Sequence, residues 1–298
     1  MKQMAAIHWF VKFALGAAAV LLACGFATAR FGHGLQLPST TARDGSLITL
    51  NRYANESIPD VVLVGSSLTF RLKEEYFATP KVRNLGLAGG SPVTGLEIVT
   101  NQTSLPKIVL IEMNVLSRGT DTGLVERYSR RGRQETLFFR PVRTAVAAYD
   151  TWLHAPITHA QVLRTLSRLL EQPPSDFDNR IYIDRAVRQS NAEDPSVVTR
   201  INVQRIEQLI LALEQRGARV LLFELPLAQP VEEARFARVT GAIVHAHFPD
   251  RDRWLRIDAP REELRWADGD HLDERSAVIV VRSIERALTP ILGPSSRP

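Results

Sequence analysis

The run Val61–Val64, Val-Val-Leu-Val, constrains the fold of this chain more than any other stretch. It is apolar without alternation, three of its four residues are β-branched, and Pro59-Asp60 and Gly65-Ser66-Ser67 bound it on either side. A run this short is a strand, and unbroken apolar character requires burial on both faces, as in a sheet covered above and below. Similar runs follow at Lys107–Glu112, Ala218–Glu224 and Trp254–Ile257, with a weaker one at Lys81–Leu85. Helical spacing lies between them, over Leu68–Phe77, Thr94–Thr103, Val198–Arg216, Val231–Phe248 and Glu274–Leu288. In the third of these, Val198, Ile201, Ile206, Leu209, Ile210 and Leu213 form a stripe that Gly217 ends. Strands alternating with helices predict an α/β domain with a parallel sheet, whose ligands sit at the carboxyl ends of the strands.

At 298 residues the chain is long enough for one such domain with appendages. The segment from Phe13 to Ala29 carries no charge and follows Lys2 and Lys12. Its seventeen residues span about 25 Å as a helix, the short end of what crosses a bilayer. Three readings stand side by side. It is a retained anchor with Lys2 and Lys12 on the cytoplasmic side, a cleaved signal ending at Ala27-Thr-Ala29, or a lipoprotein signal around Cys24, the only cysteine. Each places the rest of the chain across a membrane. The expected organisation is a membrane segment over 1–30, a stalk over 31–57 with an amphipathic stretch from Ser46 to Ile58, and the α/β domain over 58–298.

The alternation stops between Ser117 and Ser196. This stretch reads as a helical insertion over about 117–196, with helices at Val142–Leu153 and Thr158–Leu170 and a break at Pro173-Pro174. Its start is basic: Arg118, Arg127, Arg130, Arg131, Arg133, Arg140 and Arg143 stand against Asp121, Glu126 and Glu135. A clamp for anionic glycan, a lipid-facing patch and a solvated basic helix are the alternatives. The net charge of +5 comes with no nucleic-acid motif and no basic stripe interleaved with aromatics, so no nucleic acid is expected as a partner.

Four segments carry chemistry. Gly65-Ser66-Ser67 ends the first strand and opens a helix, where free N–H groups favour negative charge. Ser67 is the candidate nucleophile; Ser66 is the runner-up, and helix capping is the plain role for either. The Gly-rich stretch Asn84–Gly90 lets the backbone approach a ligand, with Gly89 offering an N–H. Asn114, just after the strand ending at Glu112, offers a neutral amide. In Asp268-Gly-Asp-His271, Asp268 can reach His271 Nδ1 and fix the tautomer that accepts a serine proton at Nε2. Asp270 is expected to be solvated or a helix cap. His8, His33, His154 and His159 read as packing or surface residues. His245 and His247, two apart on a predicted helix without an acidic partner at ligand spacing, do not make a zinc site; no metal or cofactor is expected.

In combination and order, these blocks resemble the SGNH hydrolase superfamily, also called GDSL esterases. The resemblance covers about 58–116 and 218–290. It implies a flavodoxin-like three-layer fold, with Ser67 as nucleophile, Gly89 and Asn114 as oxyanion donors, and His271 and Asp268 completing a triad. The chain departs from the family pattern twice: Gly-Asp-Ser is Gly65-Ser66-Ser67, and Gly-x-Asn-Asp is Glu112-Met113-Asn114-Val115. With the membrane segment, these changes resemble the anchored SGNH-like proteins of cell-envelope polymer O-acylation. That likeness implies a periplasmic serine esterase or O-acyltransferase held in a bacterial inner membrane by a single span. Its substrate would be an acylated glycan or lipid-linked ester, and its neighbour a membrane-bound O-acyltransferase. The competing expectation is a catalytically inactive glycan-binding or scaffold partner of such a transferase; a metal-dependent hydrolase is a third.

Overall fold

The computed structural model describes residues 2–31, 42–79, 81–130, 149, 153 and 158–292. The chain divides into two compact units, one of Met1–Ile48 with Arg133–Ile157 and one of Thr49–Gly132 with Thr158–Pro298. In the first, helix α1 (Lys2–Phe31) contains the stretch Ala6–Phe26, with a mean hydropathy of 1.9, long and apolar enough to cross a membrane. Apart from Tyr149 and Leu153, the predicted helix Val142–Leu153 lies outside the described residues, as do Arg131, Arg133, Arg140 and Arg143.

The second unit is α/β. Strands β1 (Val61–Gly65), β2 (Val82–Gly86), β3 (Ile108–Glu112) and β4 (Arg219–Phe223) form a parallel sheet in the order β2-β1-β3-β4. Val61 pairs with Val82 and with Ile108, and Ile108 with Arg219, so the four carboxyl ends finish in line. The chain moves outward from β1 to β2 and then returns to the other side of β1, making the gap between β1 and β3 a topological switch point.

Helices cover both faces. Val61, Leu63, Ile108, Leu110, Leu221 and Phe223 join a core with Leu166 of helix α6 (His159–Glu171) and Val278, Val281 and Ile284 of helix α11 (Glu274–Leu292). The opposite face receives helix α4 (Pro92–Thr100), where a Cβ on Gly95 would lie 3.2 Å from the Leu85 carbonyl and 3.3 Å from the Val64 side chain. Helix α8 (Ser196–Gln215) lies on that face too, burying Val203, Ile206, Ile210 and Leu213.

β2 is weak in sequence because Arg83 and Asn84 interrupt it, and both have partners. Arg83 bridges Glu56 and Glu74, and Arg52 pairs with the same two carboxylates. The described part of the region read as a stalk carries helix α2 (Ala42–Asn55), with Leu50, Tyr53 and Ala54 buried. Asn84 Nδ2 donates to the carbonyls of Thr69 (2.7 Å) and Leu72 (2.6 Å). Those carbonyls would otherwise continue a helix. The predicted helix Leu68–Phe77 therefore stops as helix α3 (Ser67–Phe70), followed by a 3₁₀ turn at Glu74–Tyr76.

Two other expectations change. Trp254–Ile257 is not a strand: it meets the sheet through one bridge, Trp254 to Leu222, and the Leu255 N–H to the Leu222 carbonyl at 2.7 Å. Beyond it the Asp258 carbonyl is held by Ser283 Oγ and Arg286 of α11, which draws the backbone away. The predicted helix Val231–Phe248 is two, α9 (Gln229–Glu232) and α10 (Arg235–His247). Arg235 restarts it, giving its N–H to Asn191 and its guanidinium to Asp194. In the described part of the insertion, α5 (Thr122–Tyr128) and α7 (Arg180–Ala192) are helices the apolar spacing did not announce.

Candidate active site

Ser67, Gly89 and Asn114 stand just beyond the carboxyl ends of β1, β2 and β3, three strands adjacent in the sheet. Ser66 and Ser67 have separated roles. Ser66 is the N-cap of α3, 1% exposed; its Oγ accepts from the Leu68 N–H and lies 2.8 Å from Glu112 Oε1 and 2.9 Å from Oε2. Ser67 is partly exposed, and neither its hydroxyl nor its N–H has a hydrogen bond among the described residues. The runner-up hydroxyl is committed to the interior; the candidate nucleophile faces out.

Gly89 occupies the left-handed region at φ 72°, and a Cβ there would meet nothing within 4 Å. The turn is closed by the Gly90 N–H on the Leu87 carbonyl at 2.9 Å, while the Gly89 N–H has no acceptor among the described residues. At the base of this turn only glycine fits: a Cβ on Gly86 would lie 2.3 Å from the Phe70 nitrogen.

Asn114 is less free than its position suggests. Its Nδ2 donates to the Leu225 carbonyl at 2.9 Å and its Oδ1 accepts from the Leu225 N–H at 2.7 Å, a clasp between the ends of β3 and β4. One amide hydrogen remains for a ligand.

Asp268 and His271 are joined. Nδ1 lies 2.9 Å from both Asp268 oxygens, and the His271 N–H donates to Oδ1 at 2.9 Å. Burial works to raise the Asp268 carboxyl, but the two His271 hydrogen bonds, the imidazole and the Arg71 guanidinium outweigh it and hold it at about 2. An ionised carboxylate only accepts, so Nδ1 carries a hydrogen, and the lone pair of a neutral ring so held lies on Nε2. Asp270 is partly buried, which pushes its carboxyl up. The cap of α11 is Asp273, whose Oδ1 accepts from the Ser276 N–H at 2.8 Å, and not Asp270.

The loop carrying this pair is fixed on two sides. Toward α3, Tyr76 donates to Glu274 at 2.8 Å, and Arg71, which follows α3, acts on Asp268. Toward the insertion, Asn179 Nδ2 donates to the Trp266 carbonyl at 2.5 Å. Gly269, at φ 95°, has Ile183 and Ala186 of α7 at 3.1 Å from where a Cβ would stand. The loop therefore lies toward the end of α3 that follows Ser67. No hydrogen bond joins Ser67 Oγ to His271 among the described residues.

The group that sequence reading passed over is Glu112. It is fully buried at the end of β3 and accepts at Oε2 from the Ser66 N–H (2.8 Å), the Thr69 N–H (3.1 Å) and Thr69 Oγ1 (2.6 Å). Burial pushes its carboxyl up, and the bonds from Thr69 and Ser66 oppose this. The signal was present as a lone carboxylate ending an otherwise apolar run. His245 and His247 separate, pairing with Glu224 at 3.1 Å and Glu207 at 3.0 Å. Among the described residues no three His, Cys, Asp or Glu side chains gather as metal ligands.

No protein-family model matches the chain, and no curated protein matches it.

Proposed function

We propose that the chain is a membrane-tethered serine esterase or O-acyltransferase of the SGNH type, working through a covalent acyl group on Ser67. The observation that carries this reading is the Asp268–His271 pair, which leaves Nε2 as the base. Ser67 Oγ attacks the ester carbonyl carbon, the carbonyl electron pair moves onto oxygen, and the hydroxyl proton passes to His271 Nε2. The Ser67 and Gly89 N–H groups, with the remaining Asn114 hydrogen, receive the oxyanion. As the tetrahedral adduct collapses, Nε2 returns the proton to the leaving alcohol. Water or a second hydroxyl, deprotonated by the same nitrogen, then takes the acyl group and releases Ser67. The missing Ser67–His271 hydrogen bond is compatible with this, because such contacts tighten when substrate binds.

The apolar helix α1 supports a single-pass anchor, with the catalytic unit on the extracytoplasmic side and Lys2 and Lys12 inside. That location makes acylated envelope glycan or a lipid-linked ester the substrate class, and a membrane-bound O-acyltransferase the natural neighbour. One observation favours the inactive scaffold instead: the Leu225 clasp occupies much of the Asn114 amide.

A fluorophosphonate probe separates the two. The full-length chain in detergent is expected to take one phosphonyl group, recovered on the peptide containing Ser67. Absence of labelling across the pH range in which the chain stays folded would favour the scaffold.

A further inference from the structure

Two of the three positions at which the chain departs from the SGNH blocks, Ser66 and Glu112, are hydrogen-bonded to each other; the third is Val115. A fully buried carboxylate is costly to keep unless its oxygens are well met, and four donor groups from one turn meet this one: the N–H and hydroxyl of Ser66 and of Thr69. The cluster leaves no spare room. A Cβ on Gly65 would lie 2.1 Å from Thr69 Oγ1 and 2.6 Å from Glu112 Oε2, which is why glycine precedes the turn.

The distribution of donors has a consequence for Ser67. At the start of α3 the Ser66 and Thr69 N–H groups go to Glu112 and the Leu68 N–H goes to Ser66 Oγ. Among the described residues the Ser67 N–H is left over, beside a hydroxyl that is also unpaired. We infer that Glu112 is a positioning residue: by gripping Ser66 and Thr69 through both backbone and side chain, it sets the β1–α3 turn so that Ser67 alone presents a hydroxyl and an N–H to substrate. The inference rests on Ser67 being the nucleophile. The carboxylate absent from the middle of Gly65-Ser66-Ser67 is supplied from the neighbouring strand by Glu112.

The test is the rate of fluorophosphonate labelling of the full-length chain, with inactivation constant and probe affinity measured separately. In this reaction Ser67 Oγ attacks phosphorus, fluoride leaves, and the serine proton passes to His271. Glu112→Ala is expected to slow the inactivation step about 100-fold, the effect of roughly 1 Å of misplacement, with probe affinity within about twofold. Glu112→Gln keeps an oxygen for the two N–H groups and an amide that can donate to Ser66 Oγ, so it is expected to recover most of the rate. Should Glu112→Ala fail to fold, Thr69→Val decides: it removes one grip on Glu112 at nearly constant shape and is expected to slow inactivation about tenfold, a smaller misplacement than in the Ala variant.

Wild-type rates in Glu112→Ala, or in Thr69→Val where that variant decides, overturn the inference. So does a Gln variant as slow as the Ala variant. An unlabelled wild-type chain overturns the Ser67 reading and this inference together, whereas a labelled wild type with unaffected variants overturns this inference alone.

Discussion

Ser67→Ala is expected to abolish ester turnover, while Ser66→Ala lowers it about tenfold or less. Loss of the nucleophile in a serine hydrolase costs about 10⁶-fold in turnover. No neighbour substitutes, because the adjacent hydroxyl is 1% exposed and committed to Glu112 and the Leu68 N–H. Ser66→Ala removes an N-cap, a loss of about 1 kcal/mol in stability, and weakens the hold of Glu112 on the turn. Its signature is therefore a lower melting temperature with reduced but measurable activity. Release of acetate from O-acetylated glycan and from a generic ester reads both variants. The opposite ranking, with Ser66 essential and Ser67 dispensable, would transfer the nucleophile to a buried group and contradict the geometry.

Asp268→Asn is the second large effect, expected to lower turnover about 10⁴-fold with the chain still folded. An asparagine can present its N–H₂ to Nδ1 and favour the tautomer with hydrogen on Nε2, leaving no lone pair to accept the Ser67 proton. The same substitution has a pH signature. The Asp268 carboxyl is held at about 2 in the folded chain, below its ordinary range, so its contribution to stability is present above pH about 4 and is lost as pH falls through about 2. Melting curves of the wild type and Asp268→Asn are accordingly expected to differ at pH 6 and to converge toward pH 2. Asp270→Asn leaves the His271 hydrogen bonds in place and is expected to have a much smaller effect on turnover. Equal losses from Asp268→Asn and Asp270→Asn would remove Asp268 from the role of orienting His271.

Much of this arrangement was legible in the residues because its determinants are local. Val61–Val64 and Ile108–Ile111 are buried on both faces, and a strand so placed has to be apolar throughout. Asp268 and His271 are three residues apart, so a tight loop suffices to join them, and Gly269 at φ 95° makes the loop possible. The features that escaped depend on pairing at a distance. Trp254–Ile257 has the composition of a strand, but α11 captures the Asp258 carbonyl. The helix beginning at Ser67 ends early because Asn84, on another strand, takes its carbonyls. Glu112 read as a mismatch with a known pattern until its partners Ser66 and Thr69, more than forty residues earlier, were brought beside it. The clasp on Asn114 comes from Leu225, 111 positions later, and no spacing rule links the two.

The most direct test of the central claim is to trap the acyl group itself. The full-length chain is mixed with an activated acetyl ester, quenched in acid within the first turnover, and digested for mass spectrometry. The account predicts one acetyl group per chain, on the peptide that contains Ser67, and no adduct in Ser67→Ala. Turnover of the ester without any covalent adduct on a serine, or an adduct that persists in Ser67→Ala, would contradict it.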